Sequence, residues 1–376
     1  MANPAMGGSR RMRHRNRPHF TLNTIKPLFA AFALTSLGAL ALSGCGQSKE
    51  SPATDTATSG NNENRSTPPA GAPFKVALVT PGPVSDNGWN SGAYKGLQDI
   101  KSELGAEVEN VEAKTPSDQK ADLSAYASKG YNVVIANGSE IEDIALELES
   151  NFPKTTFVVS AGHKTGKNTQ PIILLLEDGA YLEGMLAAGM SKTGHIASVG
   201  ATRDAAIDSV FKAYELGAKK VNPKIIVTPP TFTGDWEDVS KAKAATNALL
   251  DQGADVILQD LDAAAQGVFQ AVQERAKQGK PVYALGTNSD QNAVAPDVIL
   301  ASAPIYLGKA FVPIVKQVKD GTFKPNTTPF DMKSGVIGFI LNPQMDSKIP
   351  ADLKAKVLDA QKQITAGTLV VPKGSS

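Results

Sequence analysis

From residue 74 onward the chain repeats one pattern, a short β-branched apolar run followed by a longer amphipathic stretch, and few folds accept it. Strands that alternate with helices pair in parallel, and a parallel sheet must be covered by helices on both faces. Strand patterns fall at residues 74–80, 107–112, 132–136, 156–160 and 172–176, with helical patterns at 91–104, 118–129 and 140–151 between them. A helix at 180–191 then leads into a second series, with strands expected at 195–199, 225–229, 255–260 and 281–285 and helices at 207–221, 239–252 and 263–278. Two α/β lobes are expected. A strand at 298–302, a helix at 308–320, a strand at 336–341 and a helix at 351–366 come late, so the chain should cross back between the lobes. That reading groups 74–176 with 299–325 as one lobe and 177–298 with 326–376 as the other. Lobes joined by several crossovers enclose a cleft that closes as a hinge.

The first 44 residues have a different character. They carry Arg10, Arg11, Arg13, Arg15, Arg17 and Lys26 and no acid, then an apolar run at 28–42, then Leu42-Ser43-Gly44-Cys45. A charged, apolar and small-residue order of this kind is a signal peptide, and the apolar run is short for a membrane span. Cys45 is the only cysteine, so it cannot form a disulfide within the chain. Residues 42–45 resemble a bacterial lipobox, which implies that Cys45 becomes the acylated (palmitate-bearing) first residue of the mature protein. Residues 45–73 are rich in Ser, Thr, Asn, Gly and Pro and read as a flexible stalk. Loss of residues 1–44 leaves 32 basic against 37 acidic side chains, about −5 instead of +1, which excludes a basic nucleic-acid stripe.

Chemistry is concentrated in loops at the carboxyl ends of strands, where open α/β sheets bind ligands. Asp86, Trp89 and Asn90 lie in the first such loop, and Asn137 ends a later strand of the same lobe. Trp236, the other tryptophan, lies in residues 231–238 of the second lobe. One aromatic loop on each lobe suits a flat ring held between them. Asp260, Asp262, Asn288 and Asp290 follow second-lobe strands and would offer polar groups to the same cleft, or simply cap the helices that follow. Trp89 likewise could be core. The two histidines beyond residue 44, His163 and His195, are far apart in sequence, and G-x-S-x-G, H-E-x-x-H and G-x-G-x-x-G are all missing. No catalytic residue, metal ligand set or cofactor is expected.

Several segments together resemble the BMP (basic membrane protein, PnrA-like) family of substrate-binding lipoproteins. They are Asp86-Asn87-Gly88-Trp89-Asn90, residues 177–184 (EDGAYLEG), Ser191-Lys192-Thr193-Gly194, Gly217-Ala218-Lys219 with Asn222-Pro223, residues 253–257 (GADVI) and residues 286–296 (GTNSDQNAVAP). The resemblance implies a type I periplasmic-binding fold and a monomeric receptor, lipid-anchored and facing the periplasm or cell exterior. Such a receptor passes a small ring-containing solute, a purine base or nucleoside, to an ABC permease. It implies that the two tryptophans, Trp89 and Trp236, and Asn90 clamp the base; with the polar residues of the same loops the expected ligand set is Asp86, Trp89, Asn90, Asn137, Ser160, Trp236, Asp262 and Asn288. Three positions depart from the family pattern: Asn288 and Ser160 stand where aspartates are usual, and Ile305 where a lysine is usual. Loss of those charges predicts a preference for free bases over nucleosides. A sugar receptor or signalling sensor of the same fold, and a lipid-anchored hydrolase using Asp260 and Asp262, are the alternatives.

Overall fold

The computed structural model describes residues 73–372, so the expected signal peptide, Cys45 and stalk lie outside the described residues. The first sheet is built from β1 (Lys75–Thr80), β2 (Glu107–Glu112), β3 (Val133–Asn137), β4 (Thr156–Ser160) and β5 (Thr169–Ile172) in the order β2-β1-β3-β4-β5, all parallel. Central strands such as Val76–Val79 and Val133–Ala136 are fully buried, as continuous apolar runs must be when helices cover both faces. The edges differ in kind. Charged, largely exposed β2 and proline-bearing β5 both resist further strand pairing.

Helix α1 (Trp89–Leu104) covers one face of this sheet, and α2 (Pro116–Ser128) and α3 (Glu142–Glu149) cover the other. Helix α4 (Glu177–Met190) then opens the second lobe, whose strands are β6 (His195–Gly200), β7 (Ile226–Val227), β8 (Thr231–Phe232), β9 (Val256–Asp260), β10 (Tyr283–Asn288), β11 (Ile299–Pro304) and β12 (Ile340–Leu341). Their order is β12-β11-β10-β9-β6-β7, with β8 also on β6 and only β12 antiparallel. On one face lie α4, α5 (Ala205–Val221) and α9 (Ala351–Ala366); on the other lie α6 (Val239–Asp251) and α7 (Ala265–Lys277). Helices α4 and α5 touch backbone to backbone. A methyl on Gly184 would sit 2.0 Å from the Tyr214 carbonyl oxygen, and one on Gly217 would sit 1.9 Å from that of Tyr181.

The late elements correct the expected lobe boundary. Strand β11 is not part of the first lobe, because Ala284 through Asn288 of β10 hydrogen-bond along it in the second sheet. Only the following α8 (Leu307–Lys319) reaches back, to pack on α1. An apolar strand pattern shows that a segment is buried in a sheet and says nothing about which sheet. The strand expected at 172–176 also moves: pairing with β4 ends at Ile172, and the next residues form the hinge. There Phe330 exchanges backbone hydrogen bonds with Ile173 and Leu175 (2.7 and 2.8 Å), and Ile305 bridges Ile337. Much of the strand expected at 336–341 is spent on this hinge, leaving β12 two residues long. The chain thus crosses three times, after β5, after β11 and after Phe330.

Candidate functional site

The loop between β1 and α1 is built around Asp86. Its carboxylate accepts hydrogen bonds from the backbone N–H groups of Gly88, Asn90 and Ser91 and from the Asn90 amide, at 2.8 to 3.0 Å. Those are the orphan donors of a helix start, satisfied by an acid two to five residues upstream. Asp86 therefore shapes the loop, with its acceptor capacity taken up inside it. Neighbouring Asn87 is left-handed, at φ 56°.

The shaped loop presents Trp89 and Asn90. The Trp89 indole N–H donates to the Asn137 carbonyl at 3.3 Å, which fixes the half-buried ring across the end of β3. Asn90 accepts from the Asn137 amide at 3.1 Å. The Asn137 side-chain oxygen is buried and unpartnered, and so is the hydroxyl of Ser160, its register neighbour on β4. Ala161 follows at φ 56°, a conformation that costs a residue with a Cβ roughly 1 to 2 kcal/mol. Left-handed Ala161 had no signal in the sequence.

The second lobe meets this loop directly. A methyl on Gly88 would lie 3.5 Å from the Asp262 Cα, and the Asn87 carbonyl accepts hydrogen bonds from Ser289 and, at 3.2 Å, from Gln291. Lys114 and Glu237 add an ion pair between the lobes at 3.6 Å. Trp236, half-buried, is tied to the Asp262 turn through its carbonyl, which accepts from the Ala264 N–H at 3.0 Å. Both tryptophan loops thus converge on Asp262. One oxygen of that residue is buried and unpartnered, and burial, with the Asp86 and Asp260 carboxylates nearby, pushes its carboxyl well above the usual range.

Beside this turn, Asn288 ends β10 at φ 65° and donates from its amide to Asp260 at 3.4 Å. Asp260 is pushed up to about 6, chiefly by burial. Sequence reasoning left Glu183 of α4 out of the site. It is 0% exposed, neither carboxylate oxygen has a partner, and burial holds it well above its ordinary range. A lone acid inside the apolar run 180–188 was the available signal. Other candidates turn outward or inward to structural duties: Asp290 accepts from the Asn292 N–H, the His163 N–H donates to Glu142, and the His195 ring meets Thr228.

Two α/β lobes meeting at the carboxyl ends of their sheets, with a three-stranded hinge, are also the frame found in known proteins. The family profile for PnrA-like ABC transporter substrate-binding proteins (Bmp) matches residues 74–374. The chain belongs to the Bmp family. Basic membrane protein A2 of Borrelia garinii is 27% identical to this Bmp-family chain over 304 residues, covering 79% of it and 88% of the relative. A purine-binding protein of Brucella abortus is 27% identical over 299 residues (79% and 82% covered). An ABC transporter nucleoside-binding protein of Lactococcus lactis is 26% identical over 318 residues (80% and 89% covered). Among solved structures, an ABC solute-binding protein from Aeropyrum pernix superposes with a TM-score of 0.72 at 20% identity, over 80% of this chain and 94% of that one. As a Bmp-family member the chain is a substrate-binding protein of an ABC transporter with the periplasmic-binding fold, and among the described residues no helix is long and apolar enough to cross a membrane.

Proposed function

We propose that this protein is a monomeric, lipid-tethered receptor that closes its two lobes on a purine-type ring and presents it to a membrane permease. One observation carries the reading: a tryptophan-bearing loop from each lobe converges on the Asp262 turn, and Asp262 there, with Asn137 and Ser160 at the ends of β3 and β4 beside the Trp89 loop, keeps buried polar atoms without partners. Buried polar atoms cost free energy until something pairs with them, and a heteroaromatic ring offers donors and acceptors at its edge and apolar faces for the tryptophans. The purine- and nucleoside-binding relatives support that ligand class. The preference for a free base loses one of its premises, because Asp260 stands beside Asn288 and supplies a carboxylate to that end of the site. Tethering rests on the sequence of residues 42–45, and acylated Cys45 would keep the domain at the membrane face. The test is calorimetric titration of adenine, guanine, adenosine, guanosine and inosine against the full chain. Binding of at least one is expected, and no binding of any purine refutes the ligand class.

A further inference from the structure

Glu183 and Asp260 border a cavity of about 20 Å³ in the second lobe that the stacking of a ring leaves unexplained. It is large enough for one water-sized group. Val210 and Ile305 give it apolar walls, while Glu183, Asp260, Thr287 and Asn288 give it polar ones. The polar side is rich in acceptors. Both Glu183 oxygens are buried and unpartnered, Asp260 accepts only a long bond from Asn288 (3.4 Å), and no lysine or arginine lines the space. Thr287 is already engaged, its hydroxyl donating to the Gln259 carbonyl at 3.1 Å.

We propose that this cavity is a subsite for the ammonium group of an amine-bearing solute, which donates to Glu183 and Asp260 while its ring occupies the interlobe cleft. The proposal rests on the ring-binding reading above. A primary ammonium is water-sized, carries three donors and no acceptor, and can pair with the unpartnered Glu183 oxygens and with Asp260, favouring the ionised form that burial otherwise disfavours. Ile305 lines the cavity where a long basic side chain would have reached the acids, so no cation of the protein's own does so. A phosphate or carboxylate would meet only like charge. Among the described residues no group of three or more His, Cys, Asp or Glu is arranged to hold a metal ion, so a divalent cation is a poorer match.

The test uses the detergent-solubilised full chain, unfolded by heat at about pH 7, 8 and 9; burial favours the protonated form of Glu183, so an ammonium group that pairs with it displaces a proton and its effect should grow with pH. Chloride salts of ammonium, methylammonium, sodium and tetramethylammonium are compared at one ionic strength. Ammonium and methylammonium should raise the midpoint by about 2 °C over the other two, the shift that roughly tenfold saturation gives a domain of this size. Glu183→Gln, which removes the charge but keeps the shape, should abolish the difference, and so should Asp260→Asn. Equal midpoints in all four salts, or the same gain in Glu183→Gln, would overturn the subsite. Sodium matching ammonium would also overturn it, in favour of an inorganic cation site. Adenine titrated in the sodium buffer reports on the ring site separately: adenine binding without an ammonium effect defeats the subsite alone, and an ammonium effect without adenine binding supports the subsite and defeats the ring reading.

Discussion

Replacing Asp260 by asparagine should change how the stability of the protein depends on pH. Burial raises this carboxyl from 3.8 to about 6, with the Asn288 amide opposing the rise and the Asp204 carboxylate adding to it. The folded protein therefore holds the proton more tightly than the unfolded chain. Stability from this group is complete below the unfolded value and is lost as pH rises through the folded one. At about 1.36 kcal/mol for each pH unit, the displacement is worth about 3 kcal/mol, lost between roughly pH 4 and pH 7. Asparagine keeps the shape and can still accept from Asn288, but it does not titrate. Glu183 and Asp262 are raised first by burial and further by the Asp260 charge, so removing that charge also eases their titration, which adds to the gain of the variant in the same direction. Urea unfolding at several pH values between 4 and 7 measures that difference. Asp260→Asn should gain on wild type by about 2 kcal/mol across that range, most of the full displacement, and a gap constant to within about 1 kcal/mol would refute the reasoning.

Trp89→Ala and Trp236→Ala should each weaken a purine ligand by about 1 to 3 kcal/mol in calorimetry, since each removes one stacking face. Gly184→Ala should cost about 3 kcal/mol or more by thermal or urea unfolding, because its methyl would press on the Tyr214 carbonyl at 2.0 Å and drive α4 from α5; an unchanged midpoint would show that the helices separate freely. Lys114→Ala removes an exposed ion pair between the lobes and should weaken ligand binding only slightly, with a larger loss at low salt than at high in calorimetry. Cys45→Ala should abolish labelling by radioactive palmitate and leave a precursor that retains residues 1–44, as intact-mass analysis of the membrane fraction would show.

The sequence by itself determined the class of fold and the family. Fully buried strands such as Val76–Val79 and Val256–Leu258 must be apolar along their whole length, and helices such as α9 must repeat their apolar face, so both leave a local imprint. The loop holding Asp86 to Asn90 was legible for the same reason, since a helix start requires a cap within a few residues. Only the tertiary structure decided which sheet β11 joins, because that depends on hydrogen bonds from β10 and not on the composition of the strand. It alone turned Asp86 from a ligand contact into the frame of its loop, and it brought Glu183 of α4 to the Asp260 and Asn288 end of β9 and β10, more than seventy residues further along. Whether a carboxylate is paired, and so what it does, is fixed by neighbours distant in the chain: the apolar residues on either side of Glu183 signal its burial but not that it lacks a partner.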